Sequence, residues 1–405
     1  MLLVGVDWAD TEHVYCVMDE AGTVLATGTT PHTAEGLEQL IVTVRAYGVA
    51  PAAVCVALDT SQGPLVGRLL EEGFTLYPIN PKAVDRHRER FRVAGAKSDL
   101  RDAWVLANLL RTDRALYHPL RPDSETAQEL KVLTRDRAAL VHTRTMLSNQ
   151  LTACLKAYFP EFLPLFADLD RPAALSLLQA HPTLETLRTA TVDELTAILH
   201  QHRYPQAAAK AQEIHTAVRQ PAFRINPVLV RTKARLARTL VQQLVALHEQ
   251  ITSDEAEIQR VLNTHPDGEL YLSLPGASHR LAARMLGELG DNRDRYPAAA
   301  IAQCEAGTAP VTKASGSTRI VRVRRACIRP WRETMWHCAF SSLRHCAWAR
   351  AYYARARARG KRHGEAIRML ANVWLRIIIA MRRDRRPYEE SIFLKAQEAH
   401  FALAS

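Results

Sequence analysis

The chain has 405 residues, 47% of them hydrophobic, with seven cysteines and no apolar run near the roughly 18 residues a membrane span needs; this excludes a small disulfide scaffold and predicts a soluble protein of two or three units. The net charge is +11, but Arg319 to Arg386 alone holds 19 Lys and Arg against 3 Asp and Glu, a local +16 that leaves −5 for the rest. Such a concentration points to a polyanion partner, because each neutralised phosphate releases counterions.

In chain order, "LLVGVDWA", "HVYCVMD" and "TVLATGTT" alternate with the strand period, and "DEAG" turns the second into the third, which predicts an antiparallel meander. A helix at "TAEGLEQLIVTVRAYG", a buried strand "AAVCVALD", a helix "GPLVGRLLEEG" and a strand "FTLYPIN" follow. The expectation is an α/β domain with a mixed sheet, in an order that resembles ribonuclease H. "SDLRDAWVLANLLRT" is the next helix, with Ser98 as its N-cap. Two long helical patterns, 124–158 and 230–262, are suited to an antiparallel hairpin or a dimer interface; residues 161–229 between them are helical in composition and punctuated by proline. "LYLSLPGASHRLAARMLGELGD" has the outline of a helix-hairpin-helix, whose turn amides can face a phosphate, and basic helices complete the chain. The expected domains are thus 1–122, 123–264 with an insertion at 161–229, and 265–405.

Asp7 closes the first strand, Asp59 closes "VCVALD", and Asp99 and Asp102 lie one helical turn apart. Each alone is explained by a strand end, by the helix dipole, or by a surface pair of Asp102 with Arg101 or Arg86. Together they can converge on one spot, and carboxylate oxygens from separated segments suit hard divalent cations such as Mg²⁺. "HCAFSSLRHC" places His337, Cys338, His345 and Cys346 close together, but the spacing is not that of common zinc fingers, and histidines in the core or facing a nucleic acid are expected instead. Trp331, Trp336 and Trp348 are read as core, His87 as a surface residue. No secretory leader is read in "MLLVGVDWAD", so a reducing cytoplasm with free thiols is expected.

"VGVDWA", "VALDTSQG" and "KSDLRDA" resemble the RuvC-like domain of the DEDD transposases, the insertion-sequence family numbered 110, which includes Piv-type invertases. "LSLPGASHRLAARMLGELGD", "CEAGTAPVTKASGS", "LRHCAWARAYYARARARGK" and "RDRRPY" are similar in order and spacing to that family's second domain. The resemblance implies a DNA recombinase in which Asp7, Asp59, Asp99 and Asp102 bind Mg²⁺ or Mn²⁺ and Ser315 attacks the phosphodiester to leave a phosphoserine link, with Ser317 as competitor. It departs at Asp59, where the family has glutamate. It further implies a noncoding bridge RNA that pairs with donor and target double-stranded DNA, and a homo-oligomer from dimer to tetramer. Lys313, Arg319, Arg322, Arg324, Arg325 and Arg329 are the expected nucleic-acid contacts. A metal-dependent RuvC-like structure-specific nuclease, or a nucleic-acid-binding relative that has lost its chemistry, are the alternatives.

Overall fold

The computed structural model describes residues 1–90 and 98–395, which fall into two compact units, Met1–Pro122 and the chain from Asp123 onward. Lys97 of "KSDLRDA" lies outside the described residues.

The first unit runs β1 (Leu2–Asp7), β2 (Glu12–Met18), β3 (Val24–Pro31), α1 (Ala34–Arg45), β4 (Val54–Leu58), α2 (Pro64–Glu71), β5 (Thr75–Pro78), α3 (Pro81–Glu89) and α4 (Asp99–Asp113). The strand order is β3-β2-β1-β4-β5, with an antiparallel meander on one side and parallel β1–β4 and β4–β5 pairs on the other. This is the mixed sheet expected from the strand and helix periods. In the β2–β3 turn Thr23 N donates to Asp19 Oδ1 at 2.8 Å and Gly22 takes φ +96°, which no other residue type adopts cheaply.

Side-chain alternation divides the core in two. Leu2, Val4, Val6, Val54, Val56 and Leu58 pack under α1 and α2. Leu3, Cys16, Cys55 and Ala57 pack under α3 and α4. Gly5 belongs to this second face, and a Cβ there would lie 1.9 Å from Ala103 O and 2.5 Å from Ala107 N. The missing side chain is what lets α4 rest directly on β1. Ser98 stands at the N-cap of α4 as expected, but its side chain makes no capping bond; its carbonyl accepts from the Arg101 and Asp102 amides, each at 3.0 Å.

The second unit contains α5 (Glu125–Tyr158), α6 (Pro172–Ala180), α7 (Leu184–Thr189), α8 (Val192–Gln201), α9 (Ala207–Ala217), α10 (Pro227–Thr264), α11 (Gly268–Leu272), α12 (His279–Leu289), α13 (Ala299–Glu305), β6 (Val311–Ser315), β7 (Thr318–Arg322), α14 (Arg329–His345), α15 (Ala347–Ala358) and α16 (His363–Asp384). The two long helices pack antiparallel. Arg137 Nε meets Glu255 at 2.9 Å toward one end, and Cys154 Sγ lies 3.5 Å from Lys233 O toward the other.

Helices α6–α9 fold onto the far ends of this hairpin and build a core of their own around Leu155, Phe159, Leu177, Leu199, Ile214 and Val241. Capping boxes at Thr183/Thr186 and Thr191/Glu194 start α7 and α8. The near ends share a second core with α11–α16, centred on Trp331 and Trp374. Arg135 clasps Glu288 with two 2.8 Å bonds and so ties α5 to α12. The expected turn between α11 and α12 is present, with Gly276 at φ +75°. The β6–β7 ribbon stands outside the expected elements, which in this region are helical. No helix among the described residues is long and apolar enough to cross a membrane.

Candidate functional site: a carboxylate edge and a serine ribbon

In the first unit Val6 pairs with Leu58 across the parallel ladder, so Asp7 and Asp59 leave neighbouring strands at the same level. By alternation both continue the Leu3–Gly5 and Cys55–Ala57 series, on the face that α4 covers. The helix runs antiparallel to β1. Ala103–Ala107 crosses Gly5, while Arg114, beyond the helix C-terminus, contacts Met1 Sδ and lies 3.9 Å from Cys55 Sγ at the opposite ends of the strands. The first turn of α4, with Asp99 and Asp102, therefore overlies the strand ends that carry Asp7 and Asp59.

The four side chains share an edge but are not gathered. Asp99 is exposed, Asp7 and Asp59 are half-buried, and Asp102 is only 4% exposed. Its carboxylate pairs with Arg88 Nη2 at 2.6 Å, and Arg88 also stands 3.3 Å from Asp85. Arg88, rather than Arg86 or Arg101, is the partner. Among the described residues, no three His, Cys, Asp or Glu come close enough together to hold an ion. The donor chemistry, carboxylate oxygens only, fits Mg²⁺ or Mn²⁺. As placed, the Asp102 carboxylate is committed to Arg88.

His87 is not a surface residue. It is 5% exposed and its Nε2 lies 3.2 Å from Asn108 Nδ2 of α4. A histidine flanked by Arg86 and Arg88 gives no local signal of burial, which depends on α3 docking against α4.

In the second unit Ser315 ends β6 opposite Thr318, and Gly316 and Ser317 form the two-residue loop. Gly316 has φ +54° and Ser317 does not enter the left-handed region, the backbone pattern of a type II′ hairpin turn. Directly opposed residues share a face, so Ser315 stands with Lys313, Ile320 and Arg322, while Arg319 projects from the other side with Thr312 and Val321. Every residue of the ribbon except Val311 is exposed. Arg325 and Arg329, just beyond it, are also exposed, and Arg324 is half-buried.

Residues 4–160 match a family model described as "Transposase", and residues 268–354 match one described as "Transposase IS116/IS110/IS902 family". The IS117 mini-circle protein of Streptomyces coelicolor is 32% identical over 392 residues, covering 95% of each chain. The chain belongs to the IS110 family of transposases. This transposase is also 31% identical, over 73% of its length and 72% of the relative's, to the 43.6 kDa protein of insertion element IS110 of S. coelicolor. With the 42 kDa protein of insertion element IS900 of Mycobacterium paratuberculosis it shares 29% identity over 95% of its own chain and 96% of the relative's.

In the transposase the cluster at 337–346 does not converge. Cys338 and Cys346 are buried, burial pushes the Cys338 thiol up to about 12, and His337 and His345 are exposed. Trp331 and Trp348 are core residues; Trp336 is half-buried.

Proposed function

We propose that this transposase cuts and rejoins donor and target DNA duplexes by a serine-linked route at Ser315, with Asp7, Asp59, Asp99 and Asp102 as its acidic centre. The observation that supports it most is that two strand ends and one helix start deliver acids to a single sheet edge. These oxygens would hold a hard divalent cation, Mg²⁺ or Mn²⁺, which would supply positive charge to offset that of the phosphodiester and lower the cost of deprotonating a hydroxyl. Ser315 Oγ bonds to phosphorus as the bond from phosphorus to one sugar oxygen breaks; the serine proton passes to a base and the departing sugar oxygen takes one up. One phosphodiester replaces another, so the step is reversible and rejoining needs no external energy. Lys313 and Arg322, on the face of Ser315, hold the phosphate, and Arg319, Arg324, Arg325 and Arg329 hold the flanking strand.

A noncoding bridge RNA selects donor and target by pairing, gripped through backbone and shape by the basic C-terminal region. Two duplexes require several protomers, assembled as a dimer or tetramer. Incubating the protein with donor DNA, Mg²⁺ and the transcript flanking its gene is expected to give a covalent protein–DNA adduct on denaturing gels. Ser315→Ala abolishes it and Ser317→Ala does not; an adduct that survives Ser315→Ala overturns the assignment. Cleavage without any adduct would instead mark a metal-dependent nuclease, and inertness even with Asp59→Glu a binding protein.

A further inference from the structure

We infer that a cleft between α5, α12 and α14 seats one unpaired nucleotide of a nucleic-acid strand, its phosphate among arginines and its base on Phe340. This rests on the proposed reading only in that the chain handles nucleic acid. The cleft has a volume of about 480 Å³. Arg137 lines it from α5, Arg280 and Arg284 from the first turns of α12, and Phe340 and Arg344 from α14.

Its charge is incompletely balanced. Arg137 and Arg280 share one carboxylate, each 2.9 Å from Glu255 Oε1, and Arg284 stands 3.2 Å from Glu333 Oε2. The exposed guanidinium of Arg344 has no ion pair or hydrogen-bond partner among the described residues. Four arginines against two glutamates leave an excess of two positive charges, which a bound phosphodiester would offset. The floor is fixed: Ser341 Oγ donates to Gly276 O at 2.7 Å, and a Cβ on Gly276 would lie 2.5 Å from Ser341 Oγ.

Beside these cations stands an aromatic ring stacked on a second. Trp336, Phe340 and Arg344 recur every four residues and share one face of α14. Phe340 stacks on Trp336 with centroids 5.1 Å apart and planes 11° from parallel, yet remains 40% exposed. A scattered exposed phenylalanine is ordinary. One clamped flat by a second ring, with arginines beside it, matches the pairing of stacking platform and cationic groove that holds unpaired strands. A duplex keeps its base faces stacked internally and offers Phe340 nothing.

Fluorescence anisotropy with the full chain in EDTA, using a short labelled single-stranded DNA, its RNA counterpart and the DNA duplex, tests this. Phe340→Ala is expected to weaken one or both single strands about tenfold while duplex binding is unchanged, and Phe340→Trp to restore it. Arg344→Ala weakens binding and lowers the salt slope by about one. The single strand that loses affinity identifies the source as DNA or RNA. Unchanged single-strand binding in Phe340→Ala, an equal loss on duplex, or a polyglutamate probe that binds in a Phe340-dependent way overturns the inference. The Ser315 adduct assay is a separate readout: Phe340-dependent binding without an adduct leaves the cleft standing and removes the serine mechanism, and the converse removes only the cleft.

Discussion

Half-buried Arg88 meets the buried carboxylate of Asp102, and removing the arginine leaves that charge uncompensated. Without metal, Arg88→Ala is expected to cost about 3 kcal/mol, read as a lower Tm. A cation and a guanidinium compete for one carboxylate, so the same variant should bind Mn²⁺ more tightly by calorimetry and regain Tm when Mn²⁺ is added. Unchanged Mn²⁺ affinity would make Asp102 a purely structural acid. Cys338, in the core and with its thiol pushed up to about 12, should resist alkylation in the native protein and react only after unfolding. The aspartates were legible in the sequence because they punctuate apolar strands and open a helix. Arg88 was not, since its reach to Asp102 depends on where α3 comes to rest. Phe340 was equally hidden: within an aromatic-rich helix, spacing places it on the face of Trp336, but only folding shows that its own ring stays open.

Among the elements, α4 depends most on one small residue. Gly5→Ala would push a methyl into the backbone of Ala103 and Ala107, neither of which can step aside. The expected loss is about 3 kcal/mol by denaturant titration, with the N-terminal turn of α4 displaced from the strand ends. The strands of this sheet were readable from alternation, and the order of helices and strands implied the mixed pairing. The ribbon leaves only a short local signal, the two-residue Gly-Ser loop between alternating segments in "VTKASGSTRIVRV". A two-stranded ribbon with no buried face is marginal by itself. Its amides at 312–321 should therefore exchange hydrogen far faster than those of β1 and β4, and slow when DNA binds.

At the scale of the molecule, Arg135 and Glu288, a two-pronged pair whose carboxylate is wholly buried, tie the long helix α5 to α12 of the second unit. Arg135→Met should destabilise this unit by about 3 to 5 kcal/mol, visible as a lowered Tm. Residues 161–229 were legible as helices but not as a separate core, because periodicity tells which residues turn inward without telling what they meet. The ribbon that carries Ser315 has a consequence for how such a protein can diverge. Because almost none of its side chains packs against anything, its sequence contributes little to folding free energy. Selection on the strand it touches can rewrite it without endangering the scaffold. It behaves as an exchangeable cassette, and a ribbon transplanted from a relative should leave the melting profile of the recipient intact.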